Sequence, residues 1–372
     1  MRIVFLSNYY NHHQAYLSRK LYALTDGNYN FIASTRVSES RKKLGYAEFK
    51  DDFVISCDES GQDVQAIIDS ADVVICGSAP ESWINNRKQQ GKLILRYSER
   101  PLKKGFQLWK YPYRFLKLHK QNPRNARIYM LCASAYTAAD YSKFGLFKDK
   151  CFKWGYFPEC KYYESVEALM NGKIENEVLW CGRFLDWKHP DDVLSVAKRL
   201  KEDGRVFHIN IIGTGEMQNE LEVLRDQYEL SEYVTFVGSV SADKVREYME
   251  KASIYLFTSD KQEGWGAVLN EAMNSGCAVV ASSAAGATPY LIRNQENGII
   301  YPSGNKEALY GAVTQLLVDN NMQRNLGRKA YETIVNEWNS DVAAQRLIAL
   351  AECLLFDNKS DDIYEDGPCS KA

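Results

Sequence analysis

The sequence predicts an α/β protein with two doubly wound, Rossmann-like domains in tandem. Apolar, β-prone runs alternate with amphipathic helical segments along most of its 372 residues. Alternation of this kind indicates a parallel sheet covered by helices on both faces. The length fits two domains better than one. A composition of 45% hydrophobic and 25% charged residues is that of an ordinary folded protein.

The first predicted domain covers residues 1–160. Its strands are expected at 2–7, 29–33, 72–76, 93–97 and 129–133, and its helices at 14–24, 64–70, 83–90 and 135–144. Ligands of such sheets bind at the carboxyl ends of the strands. Three polar segments follow strands here, at residues 8–13, 77–81 and 98–100. These segments are therefore the candidates for a site in this domain.

The second predicted domain covers residues 161–337, after a linker near 157–176. Its strands are expected at 177–181, 208–212, 234–237, 252–259, 277–281 and 298–301, and its helices at 191–202, 216–228, 242–251, 267–274 and 306–319. The last residues, 357–372, are polar and acidic, which predicts a flexible tail.

One stretch of the second domain, from Glu263 to Glu271, has the composition of a ligand site. Gly264 and Gly266 open a turn between a buried strand and a helix. A helix start offers unpaired N–H groups to a phosphate, whereas carboxylates accept hydrogen bonds from hydroxyls. A phosphate flanked by hydroxyl-rich groups describes a nucleotide sugar. A lone Gly-x-Gly is also typical of an ordinary strand–helix crossover with two solvated glutamates.

The distribution of charge and the pattern of cysteines indicate which partners the protein has and in which cell compartment it works. Residues 1–160 hold 25 basic and 15 acidic side chains, a net of +10, while the remainder holds 21 and 33, a net of −12. This asymmetry favours an anionic partner for the first domain, such as a membrane surface or a phosphorylated acceptor. The nine cysteines form no Cys-x-x-Cys pair, which favours reduced thiols in the cytoplasm over zinc or a disulfide framework.

Several motifs of the second domain occur in the order found in a known enzyme family. They are residues 179–188 with Gly-Arg and Lys, the glycine turn 211–216, the strand 234–238, the Glu-x7-Glu pair and residues 298–302. Residues 177–355 resemble the donor domain and terminal segment of retaining glycosyltransferases of family 4, of the bacterial polysaccharide type. The resemblance implies the GT-B fold, with two Rossmann-like domains facing across a cleft and a helix at about 338–356 crossing back to the first.

The resemblance also implies a role for each matching residue. Arg183 and Lys188 would bind the donor diphosphate, as fixed cations do; Glu263 would contact the donor sugar near its anomeric carbon, and Glu271 the ribose hydroxyls. We class Arg183, Lys188 and Glu263 as catalytic. The further donor contacts would be Gly213, Gly215, Val237 and Gly238 on the nucleoside side. On the phosphate and sugar side they would be the backbone amides of Gly264, Trp265, Gly266, Ala267, Val268 and Leu269.

The first domain departs from the family pattern. Asn8 to His13 replace the usual glycine-rich loop, and Glu99 stands near the position where many relatives carry a histidine. We assign Asn8, His12, His13 and Glu99 to the acceptor side, although a solvated loop would have the same sequence. A second departure is the Gly286–Tyr290 segment, where the family usually carries a Gly-Gly pair and a glutamate.

Residues 103–120 interleave six Lys and Arg with aromatic and apolar residues and contain no acidic residue. The pattern is typical of a segment that binds an anionic membrane surface. A helix packed on the core with a basic outer face would have the same composition. Single-stranded nucleic acid also favours such interleaving, but nothing else in the chain indicates base recognition, and no nucleic-acid partner is expected.

These observations predict a cytoplasmic, retaining hexosyltransferase that acts at the inner face of the membrane. It would move a sugar from a nucleotide diphosphate donor, UDP by the habit of the family, to a hydroxyl of a glycan or lipid-linked acceptor in polysaccharide synthesis. No Asp-x-Asp motif stands out, so neither a metal nor another cofactor is expected. The alternatives are a GT-B nucleotide-sugar epimerase, a non-catalytic partner in a glycan assembly complex, and a Rossmann oxidoreductase. The missing Gly-x-Gly-x-x-Gly after the first strand argues against the last.

Overall fold

The chain divides into two compact units in a computed structural model that describes residues 1–36, 49–57, 63–356 and 364–372. One unit contains residues 1–159 together with 339–372, and the other contains residues 160–338. In the described residues, no helix has the length and hydropathy needed to cross a bilayer.

The first unit is a parallel sheet flanked by helices. Its elements are β1 (Ile3–Ser7), α1 (His12–Leu24), β2 (Tyr29–Ala33), β3 (Val54–Ser56), α2 (Val64–Ser70), β4 (Val73–Cys76), α3 (Asn85–Gln89), β5 (Leu93–Ser98), α4 (Tyr111–Gln121), β6 (Ile128–Cys132), α5 (Thr137–Ser142) and β7 (Cys151–Lys153). Within the described residues, seven strands pair in the order β3-β2-β1-β4-β5-β6-β7. The order reverses between β1 and β4, as it does in doubly wound folds.

The second unit repeats this plan. Its elements are α6 (Val166–Asn171), β8 (Ile174–Cys181), α7 (Pro190–Glu202), β9 (His208–Ile212), α8 (Gln218–Gln227), β10 (Val234–Gly238), α9 (Ala242–Lys251), β11 (Ala252–Phe257), α10 (Ala267–Asn274), β12 (Ala278–Ser282), α11 (Thr288–Leu291), β13 (Ile299–Tyr301), α12 (Lys306–Val318) and α13 (Asn320–Asn336). Its six described strands pair in the order β10-β9-β8-β11-β12-β13, all parallel.

The core of the second unit consists of residues from one face of its sheet and the helices that cover it. Leu194 and Leu200 of α7 and Leu316 of α12 are buried against β8, β9 and β12. Because both faces of a parallel sheet are covered, its central strands are apolar throughout. Every residue of β11 is buried.

A last helix, α14 (Ser340–Leu355), returns to the first unit and packs against α1. Asn339 caps it by accepting a hydrogen bond from the N–H of Val342 at 2.9 Å. The two sheets and this returning helix confirm the predicted fold class.

The predicted flexible tail is ordered where the structure describes it, and residues 357–363 lie outside the described part. The N–H of Cys369 donates to the carbonyl of Lys153 at 2.8 Å, and the N–H of Lys153 donates to that of Ser370 at 2.8 Å. Asp366 forms an ion pair with Lys153 at 2.6 Å. Residues 364–372 thus lie along β7, because its outer edge offers unpaired backbone groups.

Two other expectations needed correction. The predicted linker contains α6, and β8 begins at Ile174 rather than at residue 177. No element was expected at 320–336, where α13 lies. Gly327 stands in the middle of α13, a place where glycine disfavours a helix. A Cβ there would overlap the carbonyl oxygen of Gly276, so close packing of α13 requires the glycine.

Candidate functional site

The second sheet reverses its strand order between β8 and β11. In open α/β sheets, ligands bind outside the carboxyl ends of the strands at such a reversal. The segments that follow β8, β9, β10 and β11 are residues 182–189, 213–217, 239–241 and 258–266. Most of the predicted donor-site residues lie in or next to these segments.

Lys188 and Glu263 form an ion pair at this edge of the sheet. The Nζ of Lys188 lies 2.5 Å from Oε2 of Glu263, and their side chains are only 12% and 13% exposed. Ser259 donates to the same oxygen at 3.1 Å. The hydroxyl of Thr258 donates to the carbonyl of Lys188 at 2.6 Å. The loops after β8 and β11 are therefore bound together by two largely water-shielded, opposite charges.

Arg183 follows β8 in the same loop, and its side chain is exposed. The loop is fixed by its neighbour Phe184, whose N–H donates to the carbonyl of Thr214 at 2.9 Å. Arg183 and Lys188 thus lie in the same short loop at the edge of the sheet.

The predicted nucleoside-side glycines are needed for packing between loops. Gly213 has φ +133°, and a Cβ there would overlap the carbonyl oxygen of Gly182. A Cβ on Gly215 would lie 2.5 Å from the carbonyl oxygen of Phe184. Gly238 accepts a hydrogen bond from the N–H of Gly213 at 2.9 Å. The close approach of neighbouring backbone therefore explains why positions 213 and 215 are glycine, without any role in ligand binding. The side chain of Val237 is partly exposed.

The loop before α10 presents only some of its predicted contacts. Gly266, Ala267 and Val268 are partly exposed, and Gly264 is buried. Ala267 and Val268 open the helix, where N–H groups lack a partner within the helix.

The side chains of Trp265 and Leu269, for which only contacts of the backbone amides were predicted, are fully buried in the core. The indole N–H of Trp265 donates to Asn270 Oδ1 at 2.8 Å, and its ring lies 5.8 Å from that of Trp338. The N–H of Leu269 donates to the carbonyl of Gly266 at 2.9 Å. Their contribution to the site is structural support for the helix start.

Glu271 lies one turn into α10, partly exposed. The pKa of the neighbouring Cys181 thiol is raised to about 12, mainly by burial and also by the charge of Glu271, while the charge of Lys188 opposes the shift. Both charges therefore lie near the end of β8. The hydroxyl of Tyr255 donates to the carbonyl of Cys181 at 3.2 Å. Sequence reasoning missed Cys181, whose only signal is its place directly before Gly182.

His189 and Asp260 are two further polar residues that sequence reasoning missed. His189 has a left-handed backbone, φ +49°, and its Nε2 lies 3.7 Å from Oδ2 of Asp260. The N–H of Asp260 donates to the carbonyl of Trp187 at 2.9 Å. Across the described ranges, no group of three or more His, Cys, Asp or Glu side chains could hold a metal ion.

In the first unit, three of the predicted acceptor-side residues lie around one tyrosine. The ring of His13 stacks on that of Tyr156 at 5.3 Å, and the ring of His12 lies 3.9 Å from His13. The hydroxyl of Tyr156 donates to Glu99 Oε1 at 2.7 Å. Tyr156 was missed, because it follows an edge strand that the sequence did not reveal. The four residues form one aromatic and acidic cluster at the ends of β1 and β5.

Burial disfavours the charged form of both histidines in this cluster. It lowers the pKa of His12, and it lowers that of His13 to about 3, where the neighbouring His12 adds to the effect. Asn8 has a turn-forming role: its Oδ1 accepts from the N–H of Tyr9 at 3.0 Å and its carbonyl from the N–H of Thr35 at 2.7 Å.

Comparison with known proteins gives this geometry a family context. Residues 166–333 match the model of the glycosyl transferases group 1 family. The colanic acid biosynthesis glycosyltransferase WcaL of Escherichia coli K12 is 26% identical over 186 residues, which are 48% of this chain and 45% of WcaL. An uncharacterized glycosyltransferase, MJ1069 of Methanocaldococcus jannaschii, is 29% identical over 184 residues, 47% of this chain and 46% of its own. Each match thus spans slightly under half of the relative.

Solved structures resemble the chain over nearly its whole length. A glycosyltransferase from Rickettsia africae has a TM-score of 0.68 at 14% identity and covers 95% of this chain and 98% of its own. HepE from Anabaena, solved with UDP, has a TM-score of 0.67 at 15% identity, covering 94% and 98%. At such identities the likeness establishes the fold alone. The two Rossmann-like units thus give the chain the GT-B fold, and residues 166–333 of the second unit resemble the glycosyl transferases group 1 family.

Proposed function

We propose that the protein is a retaining, metal-independent glycosyltransferase of polysaccharide synthesis. It would transfer a hexosyl group from a nucleotide diphosphate sugar to a hydroxyl of a glycan or lipid-linked acceptor. The proposal depends most on one observation, the shielded Lys188–Glu263 pair beside the start of α10 at the strand-order reversal. The group 1 match of this unit supports the same activity.

The charges of this site suit a reaction that releases a nucleoside diphosphate. When the bond to the anomeric carbon breaks, negative charge grows on the diphosphate and the sugar becomes oxocarbenium-like. Lys188 and Arg183 would stabilise the departing oxygens, together with the amide groups of Ala267 and Val268. Preorganised cations of this kind can take the place of a metal ion.

The pairing of Lys188 with Glu263 indicates how donor binding would change the site. A diphosphate within reach of Lys188 would compete with Glu263 for its ammonium group. The Glu263 carboxylate would then accept hydrogen bonds from sugar hydroxyls. Glu271, near the end of β8, suits the ribose hydroxyls by the same chemistry.

UDP is the donor nucleotide that we propose. HepE was solved with UDP, and GtfA of pneumococcus, with a TM-score of 0.67, was solved with UDP and GlcNAc. A relative from Mycobacterium tuberculosis that is 25% identical over 176 residues is named as GDP-mannose-dependent. GDP-sugars are therefore the donors to compare with UDP-sugars. Thermal melts with a panel of UDP- and GDP-sugars distinguish the two, because a bound donor raises apparent stability by mass action.

The reaction itself is tested by its products. Incubation with the stabilising donor and candidate acceptors should release the nucleoside diphosphate only when an acceptor is present, and NMR of the new glycoside should show the anomeric configuration of the donor. An inverted product would refute retention. Free epimerised sugar without an acceptor would establish the epimerase instead. Donor binding with no turnover on any acceptor would favour the non-catalytic partner.

A further inference from the structure

Five large apolar side chains project outward from one short region of the first unit. We name Phe106, Leu108, Trp109, Tyr113 and Leu116 the apolar ridge. Leu108, Trp109, Tyr113 and Leu116 are 68–79% exposed, and Phe106 is 43% exposed. The described residues contain thirteen exposed large hydrophobic side chains, and these five fall within eleven residues. Such a concentration on an otherwise polar surface marks an interaction site.

The helix that carries Tyr113 and Leu116, α4, is already anchored by its opposite face. Tyr111, Phe115 and Leu118 of α4 pack against the cluster that contains Phe144. The ring of Tyr111 stacks on that of Phe144 at 5.4 Å. The Nε2 of His119 forms a hydrogen bond with the carbonyl of Phe144 at 2.8 Å. The ridge therefore combines the exposed side chains of the turn before α4 with those of the outward face of α4, whose inward face is packed on the core.

The charges around the ridge have one sign. Residues 103–120 contain six Lys and Arg and no acidic residue. Two carboxylates of this unit are engaged by other cations, since Glu99 pairs with Lys103 and Asp140 with Arg100. Within the described ranges, the remaining cations of the segment form no ion pair with a carboxylate; they are Lys104, Lys110, Arg114, Lys117 and Lys120. An anionic surface would complement this set.

We propose that the apolar ridge docks onto the surface of an anionic lipid bilayer. Leu108, Trp109 and Leu116 would enter the boundary between head groups and acyl chains, and the surrounding cations would contact lipid phosphates. Trp109 and Tyr113 combine an apolar ring with a polar tip, which suits that boundary. A stable protein partner commonly needs roughly 20–30 residues on each side, whereas the ridge offers five apolar side chains. The fit is better to lipid than to protein.

Vesicle sedimentation of the full-length protein tests this inference without any use of enzymatic activity. Vesicles of phosphatidylcholine alone are compared with vesicles that also contain phosphatidylglycerol. The protein should sediment with the anionic vesicles, bind the neutral ones at least tenfold more weakly, and dissociate as salt is raised. A triple variant, Leu108→Ser, Trp109→Ser and Leu116→Ser, should weaken binding at least roughly tenfold.

A second triple variant removes charge and leaves the apolar ridge intact. Replacing Lys110, Arg114 and Lys117 by Gln should weaken binding to anionic vesicles roughly a hundredfold. The matched control is Val206→Ser with Val318→Ser, two exposed apolar residues of the other unit. It should bind like the wild type. Circular dichroism should show all variants folded, because every changed side chain lies at the surface.

Two results would overturn the inference. One is equal binding of the wild type to neutral and anionic vesicles, or no binding to either. The other is a concentration-dependent dimer in light scattering that the ridge variant abolishes, without vesicle binding, since the ridge would then join two copies of the chain.

Discussion

Replacing Gly266 by alanine should destabilise the second unit by about 3 kcal/mol. Gly266 has φ +94°, a backbone conformation that costs an L-residue roughly 1–2 kcal/mol. The added Cβ would also overlap the ring of Phe257 at Cζ and lie 3.2 Å from Cγ of Glu263. Displacing packed neighbours typically costs about 1–3 kcal/mol. The backbone strain and the steric overlap both arise at Gly266, which lies between Glu263 and the start of α10.

Thermal melting followed by circular dichroism measures this loss. For a unit of this size, about 3 kcal/mol corresponds to a fall in the melting temperature of roughly 6–12 °C. Gly311→Ala is the matched control. Gly311 lies inside α12, and a Cβ there would have nothing within 4 Å. The control should therefore stabilise the protein by about 0.5–1 kcal/mol.

The Gly266→Ala variant also tests the site, because the ring of Phe257 and the side chain of Glu263 must move to admit the Cβ. Donor binding should therefore weaken more than in a variant of equal stability loss placed far from the site. Phe257→Leu, combined with Gly266→Ala, should recover part of the stability by making space for the Cβ. Unchanged stability and donor binding in Gly266→Ala would refute the close packing from which the magnitude was derived.

Three further predictions concern charged and titratable groups. Lys188→Met should lower turnover about 10²–10³-fold, and more than it weakens donor binding. The control Lys244→Met, which breaks an exposed pair with Glu247, should leave turnover and donor binding unchanged. Equal loss in both variants would contradict the assignment of Lys188 to the donor site. Glu271→Ala should raise the dissociation constant of the donor about tenfold or more in calorimetry, by the loss of charge-assisted hydrogen bonds. Burial lowers the pKa of His13 from 6.5 to about 3, so between these pH values the unfolded chain takes up a proton that the folded protein does not. The free energy of unfolding should therefore fall as the pH drops from 6.5 towards 3, by up to about 1.4 kcal/mol per pH unit. Melts between pH 7 and pH 4.5 should therefore be less pH-dependent in His13→Gln, and an unchanged slope would count against a buried neutral His13.

Much of the fold was predictable because its signals are local. The apolar run 252–257 and the glycines at 264 and 266 indicated a strand, a turn and a helix start, and the structure has β11 and α10 there. Gly276 has φ +70° just after the end of α10, where a glycine commonly ends a helix. The resemblance assigned Lys188 and Glu263 to one donor, but their direct ion pair, between residues 75 apart in the chain, was not predicted.

The missed features depend on contacts between distant residues. The sequence around Gly327 disfavours a helix, and only the close approach to Gly276 explains its place in α13. The polar residues 364–372 are ordered because β7 offers them a free edge. Trp265 stands between two glycines of the loop, yet its side chain is in the core, because Asn270 and Trp338 lie within reach there. Tertiary packing decided each of these cases.

The most direct measurement of the central claim is a calorimetric titration of the wild type with UDP and with the UDP-sugar that stabilises it most. We expect binding to one site per chain, with affinity weakened by Glu271→Ala and by Lys188→Met and unaffected by Lys244→Met. Absence of binding to any nucleoside diphosphate or nucleotide sugar, or binding that neither Glu271→Ala nor Lys188→Met weakens, would contradict a donor site at the reversal between β8 and β11.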